Sequence, residues 1–229
     1  MKVGAIVPAA GRGERLGGRD KVLAPLGGRP ALAWVLDALV RSEVVEAIVV
    51  VASEANRTAI ESLCRSLPTT VPVAVTRGGA ERALSVRAGA ETLGAATKFV
   101  LVHDAARPLV TPELIRRAVD AVQRHGAVVA AVPVVDTIKQ VALDGRVVTT
   151  PDRRSLVAVQ TPQVFRFDWL WEAYRRAGAS LVTATDEAML LERAGFPVYV
   201  FPGDPENLKI TTPLDLAVAE FLLARRRSA

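Results

Sequence analysis

Val3-Gly4-Ala5-Ile6-Val7-Pro8-Ala9-Ala10-Gly11-Arg12-Gly13-Glu14-Arg15-Leu16-Gly17-Gly18-Arg19-Asp20-Lys21 is the stretch on which the fold turns. The run Val3 to Val7 is apolar, too short for a helix and stopped by Pro8, so it reads as a buried strand. After it comes a loop of four glycines that also carries three arginines and a lysine. Small residues let backbone N–H groups come close to an anion, and the cations neutralise it. The run fits neither common phosphate motif. Gly11-Arg12-Gly13-Glu14-Arg15-Leu16 lacks the third glycine of the dinucleotide fingerprint, and no Gly-Lys-Ser/Thr is present. A loop of this composition is either a surface connection or an anion cradle; its place at the end of a strand favours the cradle.

Working outward, similar β-branched runs recur at Ala47 to Val51, Val71 to Val75, Phe99 to His103 and Val128 to Val132. Helical stretches lie between them: Ala31 to Arg41 after Pro30, Ala55 to Leu67, Glu81 to Leu93, and Glu113 to His125. The last opens with Thr111 as N-cap and Pro112 behind it, and closes at Gly126. Strand alternating with helix predicts crossover units, hence an α/β chain with a mainly parallel sheet flanked by helices. After Val132 the rhythm breaks. Asp136 to Val141, Asp144-Gly145 and Arg146 to Thr149 read as a hairpin, an arm projecting from the sheet. Further helices are expected at Asp168 to Ala177, Asp186 to Ala194 and Pro213 to about Arg225, with a strand at Val198 to Phe201.

Composition narrows the chemistry. Half of the 229 residues are apolar, enough for one substantial core, and a single domain spanning residues 1–229 is the expectation. No apolar run approaches the length of a membrane span and the N-terminus does not read as a signal peptide, so a cytoplasmic protein without a membrane partner is expected. The single cysteine, Cys64, rules out an internal disulfide. With only His103 and His125 beside it, a zinc cage or a Cys/His nucleophile pair has little to build from. Any metal should be oxygen-bound. The 29 Lys and Arg against 24 Asp and Glu give a net charge of +5, which suits nucleic acid or small anions. Aromatics are only 5% and the arginines are scattered rather than interleaved with them, which argues against a nucleic-acid partner.

Other segments offer chemistry. Asp104, at the carboxyl end of the fourth run, can hold Mg²⁺ through oxygen; alternatively it caps the next helix or pairs with Arg107. Gly78-Gly79-Ala80-Glu81-Arg82 with Ser85, Asp136-Thr137-Ile138-Lys139, and Asn207-Leu208-Lys209-Ile210-Thr211 are each weak alone. Arg153 and Arg154 read as surface charges and His103 as a structural histidine. Trp34, Trp169 and Trp171 read as packing residues, and Arg225-Arg226-Arg227 as charge at a helix C-terminus or a solvated tail.

Taken together, seven ordered blocks resemble one family, the 2-C-methyl-D-erythritol 4-phosphate cytidylyltransferases. They are Pro8-Ala9-Ala10-Gly11-x-Gly13-x-Arg15 with Lys21; Gly78-Gly79-x-x-Arg82-x-x-Ser85-Val86; His103-Asp104-Ala105-Ala106-Arg107-Pro108; Asp136-Thr137-x-Lys139; Thr161-Pro162-Gln163; Thr185-Asp186-Glu187-Ala188; and Asn207-x-Lys209-x-Thr211. The resemblance implies a Rossmann-like nucleotidyltransferase fold. It also implies that the phosphate of methylerythritol phosphate attacks the α-phosphorus of CTP and expels pyrophosphate, in non-mevalonate isoprenoid biosynthesis. Such a displacement needs positioning and charge neutralisation, with no covalent nucleophile from the protein.

By the same resemblance, Arg15 and Lys21 stabilise the transition state, and Arg153 and Lys209 aim the attacking phosphate, as the catalytic set. Pro8, Ala9, Ala10, Gly11, Gly13, Gly78, Gly79, Arg82, Ser85 and Asp104 form the nucleotide site, with Asp104 also binding Mg²⁺ or another divalent cation. Ala105, Arg107, Thr137 and Thr185 border the second substrate. The resemblance further implies a homodimer whose arm, at about residues 136–155, brings Arg153 into the partner's site. Two positions depart from the family pattern: Lys21 lies in Asp20-Lys21-Val22 rather than Pro-Lys-Gln, and Ala80 stands where an acid often follows Gly-Gly. The nearest alternative is a pentitol-phosphate cytidylyltransferase, sharing the CTP site and differing in the alcohol pocket.

Overall fold

The run Val3–Pro8 forms β1, buried along nearly its whole length, and every other element is arranged about it in the computed structural model, which describes residues 2–11 and 20–228. Along the chain follow β2 (Pro25–Leu26), β3 (Arg29–Pro30), α1 (Ala31–Arg41), β4 (Ala47–Ala52), α2 (Arg57–Ser66), β5 (Val73–Arg77), α3 (Arg82–Leu93) and β6 (Phe99–Val102). Then come α4 (Pro112–His125), β7 (Ala127–Pro133), β8 (Gln140–Val141), β9 (Val147–Thr149), β10 (Val157–Arg166), α5 (Phe167–Ala177), α6 (Glu187–Arg193), β11 (Tyr199–Pro202) and α7 (Pro213–Ser228).

Among the described residues, seven strands make one sheet in the order β11-β7-β10-β6-β1-β4-β5. The pairs β1 with β4, β1 with β6, β4 with β5 and β11 with β7 are parallel, while β10 runs antiparallel to both β6 and β7. From β1 the chain moves out through β4 to β5, then returns by α3 to β6 on the other side of β1. That reversal opens a crevice at the carboxyl end of β1, where open α/β sheets bind ligands.

Side chains of β1 alternate between two cores. Val3, Ala5 and Val7 pack with Leu32, Leu36, Ile60 and Leu114 of α1, α2 and α4. Ile6 packs with Val86, Ala90, Leu170 and Leu191 of α3, α5 and α6. Gly89 brings α3 close to the sheet, because a Cβ there would lie 2.6 Å from Ile6 Cγ2. The α4 signals are realised as read: Thr111 Oγ1 accepts from Leu114 N–H at 3.2 Å, and Gly126 ends the helix at φ +80°.

Two readings change and a third is narrowed. The β10 strand was not expected, since Gln160-Thr161-Pro162-Gln163 interrupts its apolar pattern; a register shift between Val159 and Gln163 accommodates these residues. The fifth strand begins beyond Pro72, which has no N–H to give the ladder and instead accepts from Ile48 N–H at 2.9 Å. The three terminal arginines take the first of their two readings, charge in the last turn of a helix. Arg226 donates to the Leu109 carbonyl at 2.7 Å and pairs with Glu206, and Arg227 lies over Trp34, so α7 is latched by Ala219 and Leu223 beside Leu26, Leu109 and Ile210. The hairpin of β8 and β9 stands as its own small sheet, as expected of an arm. The tryptophans pack as read, Trp169 stacking on Phe196 and Trp171 on Phe167.

Candidate active site

One pocket at the carboxyl ends of β1 and β6 is lined by Pro8, Ala9, Ala10, Gly11, Lys21, Gly79, Glu81, Arg82, Ser85, Asp104, Ala105 and Lys209, with Val22, Ala80 and Ala106. It therefore gathers most of the nucleotide-site residues read from the sequence, together with two of the proposed catalytic cations. Gly78 lies just behind, fitted between Ala10 and Ser85: a Cβ on it would come within 2.8 Å of each. Ser85 donates to the carbonyl of Glu81, the residue capping its helix, at 3.1 Å, which leaves the hydroxyl oxygen able to accept from a ligand. Thr137, Arg153 and Thr185 are exposed and line no part of this pocket. Gly13 and Arg15 lie outside the described residues.

Asp104 sits at the pocket floor, its side chain 11% exposed, with cations on three sides. Lys209 Nζ is 2.8 Å from Oδ2, Arg82 Nη2 is 3.4 Å from Oδ1 and Arg107 Nε is 3.8 Å from Oδ2. Burial works to raise its pKa, but Arg82, Lys209 and Arg107 overcome that and hold the carboxyl well below the usual carboxylate range. Of the sequence alternatives for this residue, pairing with Arg107 is realised, and Lys209 and Arg82 lie closer still.

A backbone frame fixes this arrangement. Ile210 N–H donates to the Ala106 carbonyl at 2.8 Å and Arg107 Nη1 to the Asn207 carbonyl at 2.8 Å, docking the 207–211 segment on the 104–107 turn and setting Lys209 over Asp104. Asn207 Nδ2 in turn donates to the Thr161 carbonyl at 2.7 Å. His103 holds the same turn from beneath. Its Nε2 is 3.1 Å from the Arg107 carbonyl, which can only accept, so the hydrogen-bond pattern assigns the proton to Nε2. Nδ1 then accepts from the Thr161 hydroxyl at 3.1 Å, whose oxygen accepts from Asp104 N–H at 3.0 Å. Burial lowers the His103 pKa to about 4, leaving it a neutral structural histidine at pH 7.

Sequence reasoning gave Glu187 no role. It opens α6, is fully buried, and its Oε2 lies 2.6 Å from Arg82 Nη1, so Arg82 spans Glu187 and Asp104. Burial works to lower the Arg82 pKa, and the two carboxylates overcome it and raise it. Burial raises that of Glu187, with Arg82 opposing. Glu187 Oε1 and the Tyr174 hydroxyl are buried without a hydrogen bond among the described residues. The only signal in the sequence was the acid in Thr185-Asp186-Glu187-Ala188; its partner lies 105 positions away.

In charge terms, two carboxylates face three cations around this floor, a surplus of positive charge at the end of four parallel strands. Such a pocket receives anions, and its alanines and glycines leave backbone groups within a ligand's reach.

Comparison with known proteins agrees over nearly the whole chain. The family model described as 2-C-methyl-D-erythritol 4-phosphate cytidylyltransferase matches residues 3–225. A protein of that name from Synechococcus elongatus is 45% identical over 223 residues, covering 97% of this chain and 96% of that protein. Another from Frankia casuarinae is 49% identical over 226 residues, covering 98% of this chain and 82% of that protein. Among solved structures, the Anaerococcus prevotii 4-diphosphocytidyl-2C-methyl-D-erythritol synthase superposes with a TM-score of 0.87 at 30% identity, covering 98% and 99% of the two chains. The Thermus thermophilus 2-C-methyl-D-erythritol 4-phosphate cytidylyltransferase does so at 0.78 and 34% identity, covering 98% and 100%. With family model, relatives and sheet topology in agreement, the chain belongs to the 2-C-methyl-D-erythritol 4-phosphate cytidylyltransferase family.

Proposed function

We propose that the protein joins CTP to 2-C-methyl-D-erythritol 4-phosphate, giving 4-diphosphocytidyl-2-C-methyl-D-erythritol and pyrophosphate. The observation that carries this reading is the ring of Arg82, Arg107 and Lys209 about Asp104, open to the Pro8–Gly11 and Gly79 backbone at the end of β1. Displacement at the α-phosphorus requires two anions to be held in line while negative charge on the triphosphate is screened. Lys21, with Arg15 by family resemblance, stabilises the charge that develops on the phosphates. Ala9, Ala10, Gly79 and Ser85 border the base, where the short side chains admit a pyrimidine to backbone hydrogen bonds. Lys209, now on Asp104 at 2.8 Å, turns to the alcohol phosphate as that anion arrives, with Ala105 and Arg107 beside it.

Asp104 suits Mg²⁺, being an ionised oxygen donor at the pocket floor. Mg²⁺ is commonly held by one or two carboxylates with substrate phosphates and water completing the octahedron. Bound there, the ion would neutralise triphosphate charge. Thr137, Arg153 and Thr185 complete the alcohol site in this reading, and Arg153 acts from the neighbouring subunit of a homodimer. Exposed apolar side chains along the arm support that assembly, Val141 at 55% and Val148 at 54% among them, with Leu143 fully exposed. Residues 136–155 are then a dimerisation arm on a single cytoplasmic nucleotidyltransferase domain. No helix among the described residues is long and apolar enough to cross a membrane.

Pyrophosphate release measured with CTP, Mg²⁺ and either methylerythritol phosphate or ribitol phosphate tests the reading. Turnover with methylerythritol phosphate is expected; turnover with ribitol phosphate only would overturn the choice of alcohol.

A further inference from the structure

Asn56 stands just before α2, 4% exposed, with its carboxamide fully engaged. Its Oδ1 accepts from Ser53 N–H at 2.9 Å, while Nδ2 donates to the Ala9 carbonyl at 2.9 Å and to Asp20 Oδ2 at 2.7 Å. Turned over, the amide would set oxygen against two oxygens and its NH₂ against an N–H, so one orientation alone satisfies the site. Ala9 and Asp20, on either side of residues 12–19, are thereby held to a single side chain. Asp20 Oδ1 also accepts from Val22 N–H at 3.0 Å, a short turn that brackets Lys21. Val22 is itself fixed, 1% exposed, with its carbonyl accepting from Leu32 N–H at 2.8 Å.

The residues before and after Lys21 are thus pinned to elements that the sheet holds rigidly: Asp20 to the β4–α2 loop, and Val22 to the start of α1. Lys21 lines the pocket along Gly11, where a Cβ would lie 3.9 Å from its Cε and 4.0 Å from its Nζ. We propose that Asp20 and Asn56 form a clamp that positions Lys21 for phosphoryl transfer, neither of them touching a substrate. The proposal rests on the catalytic reading of Lys21. A lysine on a long flexible stem acts as a directed charge only if its backbone is held, and displacement of a catalytic group by about 1 Å can cost about 10²-fold in rate.

A double-mutant cycle tests the clamp. Asp20→Ala should lower kcat by about 10- to 100-fold, with the KM for CTP within about threefold of wild type and the melting temperature little changed. In a Lys21→Ala background the same substitution should add less than about twofold, because the group it positions is gone. Asp20→Asn keeps the acceptor for Val22 N–H but sets its NH₂ against Asn56 Nδ2, so it should regain little of the lost rate; Asn56→Ala, which removes the same Asp20–Asn56 bond, should behave likewise, and if it fails to fold, the Asp20 variants decide. A full Lys21→Ala effect beside an unaffected Asp20→Ala, or full multiplication of the two losses, would overturn the clamp alone. Unchanged kcat in Lys21→Ala would overturn the catalytic reading and the proposal with it.

Discussion

Replacing Glu187 with alanine removes the buried end of the ion pair that holds Arg82 at the pocket floor. Arg82 Nη1 lies 2.6 Å from Glu187 and Nη2 3.4 Å from Asp104, and only 27% of the Arg82 side chain meets solvent. Breaking a buried pair by removing one partner costs about 3–5 kcal/mol. Arg82 keeps Asp104 and some water, so the lower end applies, about 3 kcal/mol. For a chain of this length each kcal/mol lowers the melting midpoint by about 2–4 °C, which gives a fall of about 6–12 °C. The catalytic effect is bounded by one charge-assisted hydrogen bond, about 1.5–3 kcal/mol, or about 10- to 150-fold in kcat/KM for CTP. It arises because the released guanidinium turns wholly onto Asp104 and competes there with Lys209. Glu187→Gln retains an oxygen toward Arg82 and should lose less on both counts. Thermal unfolding followed by fluorescence, with initial rates of pyrophosphate release at varied CTP, reads both quantities. A Glu187→Ala midpoint within about 2 °C of wild type and an unchanged CTP dependence would refute the positioning argument.

Two further outcomes follow from the site. His103 is held neutral in the folded chain, its pKa depressed from 6.5 to about 4, so the unfolded chain binds the proton first. Its contribution to stability is therefore complete above about pH 6.5 and is lost as pH falls toward 4, at up to about 1.4 kcal/mol per pH unit. Urea unfolding at pH 7, 6 and 5 should show that slope, and His103→Gln should flatten it; equal slopes would contradict a histidine held neutral by burial. For the arm, Arg153→Ala should chiefly raise the KM for the alcohol phosphate. Mixing it with Lys21→Ala should restore activity through hybrid sites, and no recovery would favour a site made within one subunit.

Much of this was legible because β1 and its loop are local features. An apolar run ended by Pro8 and a glycine-rich basic segment need no distant partner to be read, and the alternation after them fixes a parallel sheet with its crevice at β1. The central antiparallel strand was hidden for a physical reason. Gln160, Thr161 and Gln163 are buried polar residues in β10, and what satisfies them is remote: Asp204 for Gln160, Asp104 and His103 for Thr161, Asp186 for Gln163. No period of hydrophobicity marks such a strand. Glu187 and Asn56 escaped notice likewise, since an acid in a helix and an asparagine before one are ordinary until Arg82 and Asp20 are seen beside them. Lys209 could be named from its motif, but its place on Asp104 depends on Asn207 and Ile210 docking the segment. Arg153, Thr137 and Thr185 were named by resemblance and stay apart from the pocket within one chain.

The central claim is that the phosphate of the alcohol takes the cytidylyl group of CTP. Phosphorus-31 NMR of the wild-type protein with CTP, methylerythritol phosphate and Mg²⁺ addresses it directly. The account predicts that a pair of coupled diphosphate-ester signals grows in step with pyrophosphate while the CTP and monoester signals decline. Release of CMP with the alcohol phosphate unchanged, or no loss of CTP, would contradict it.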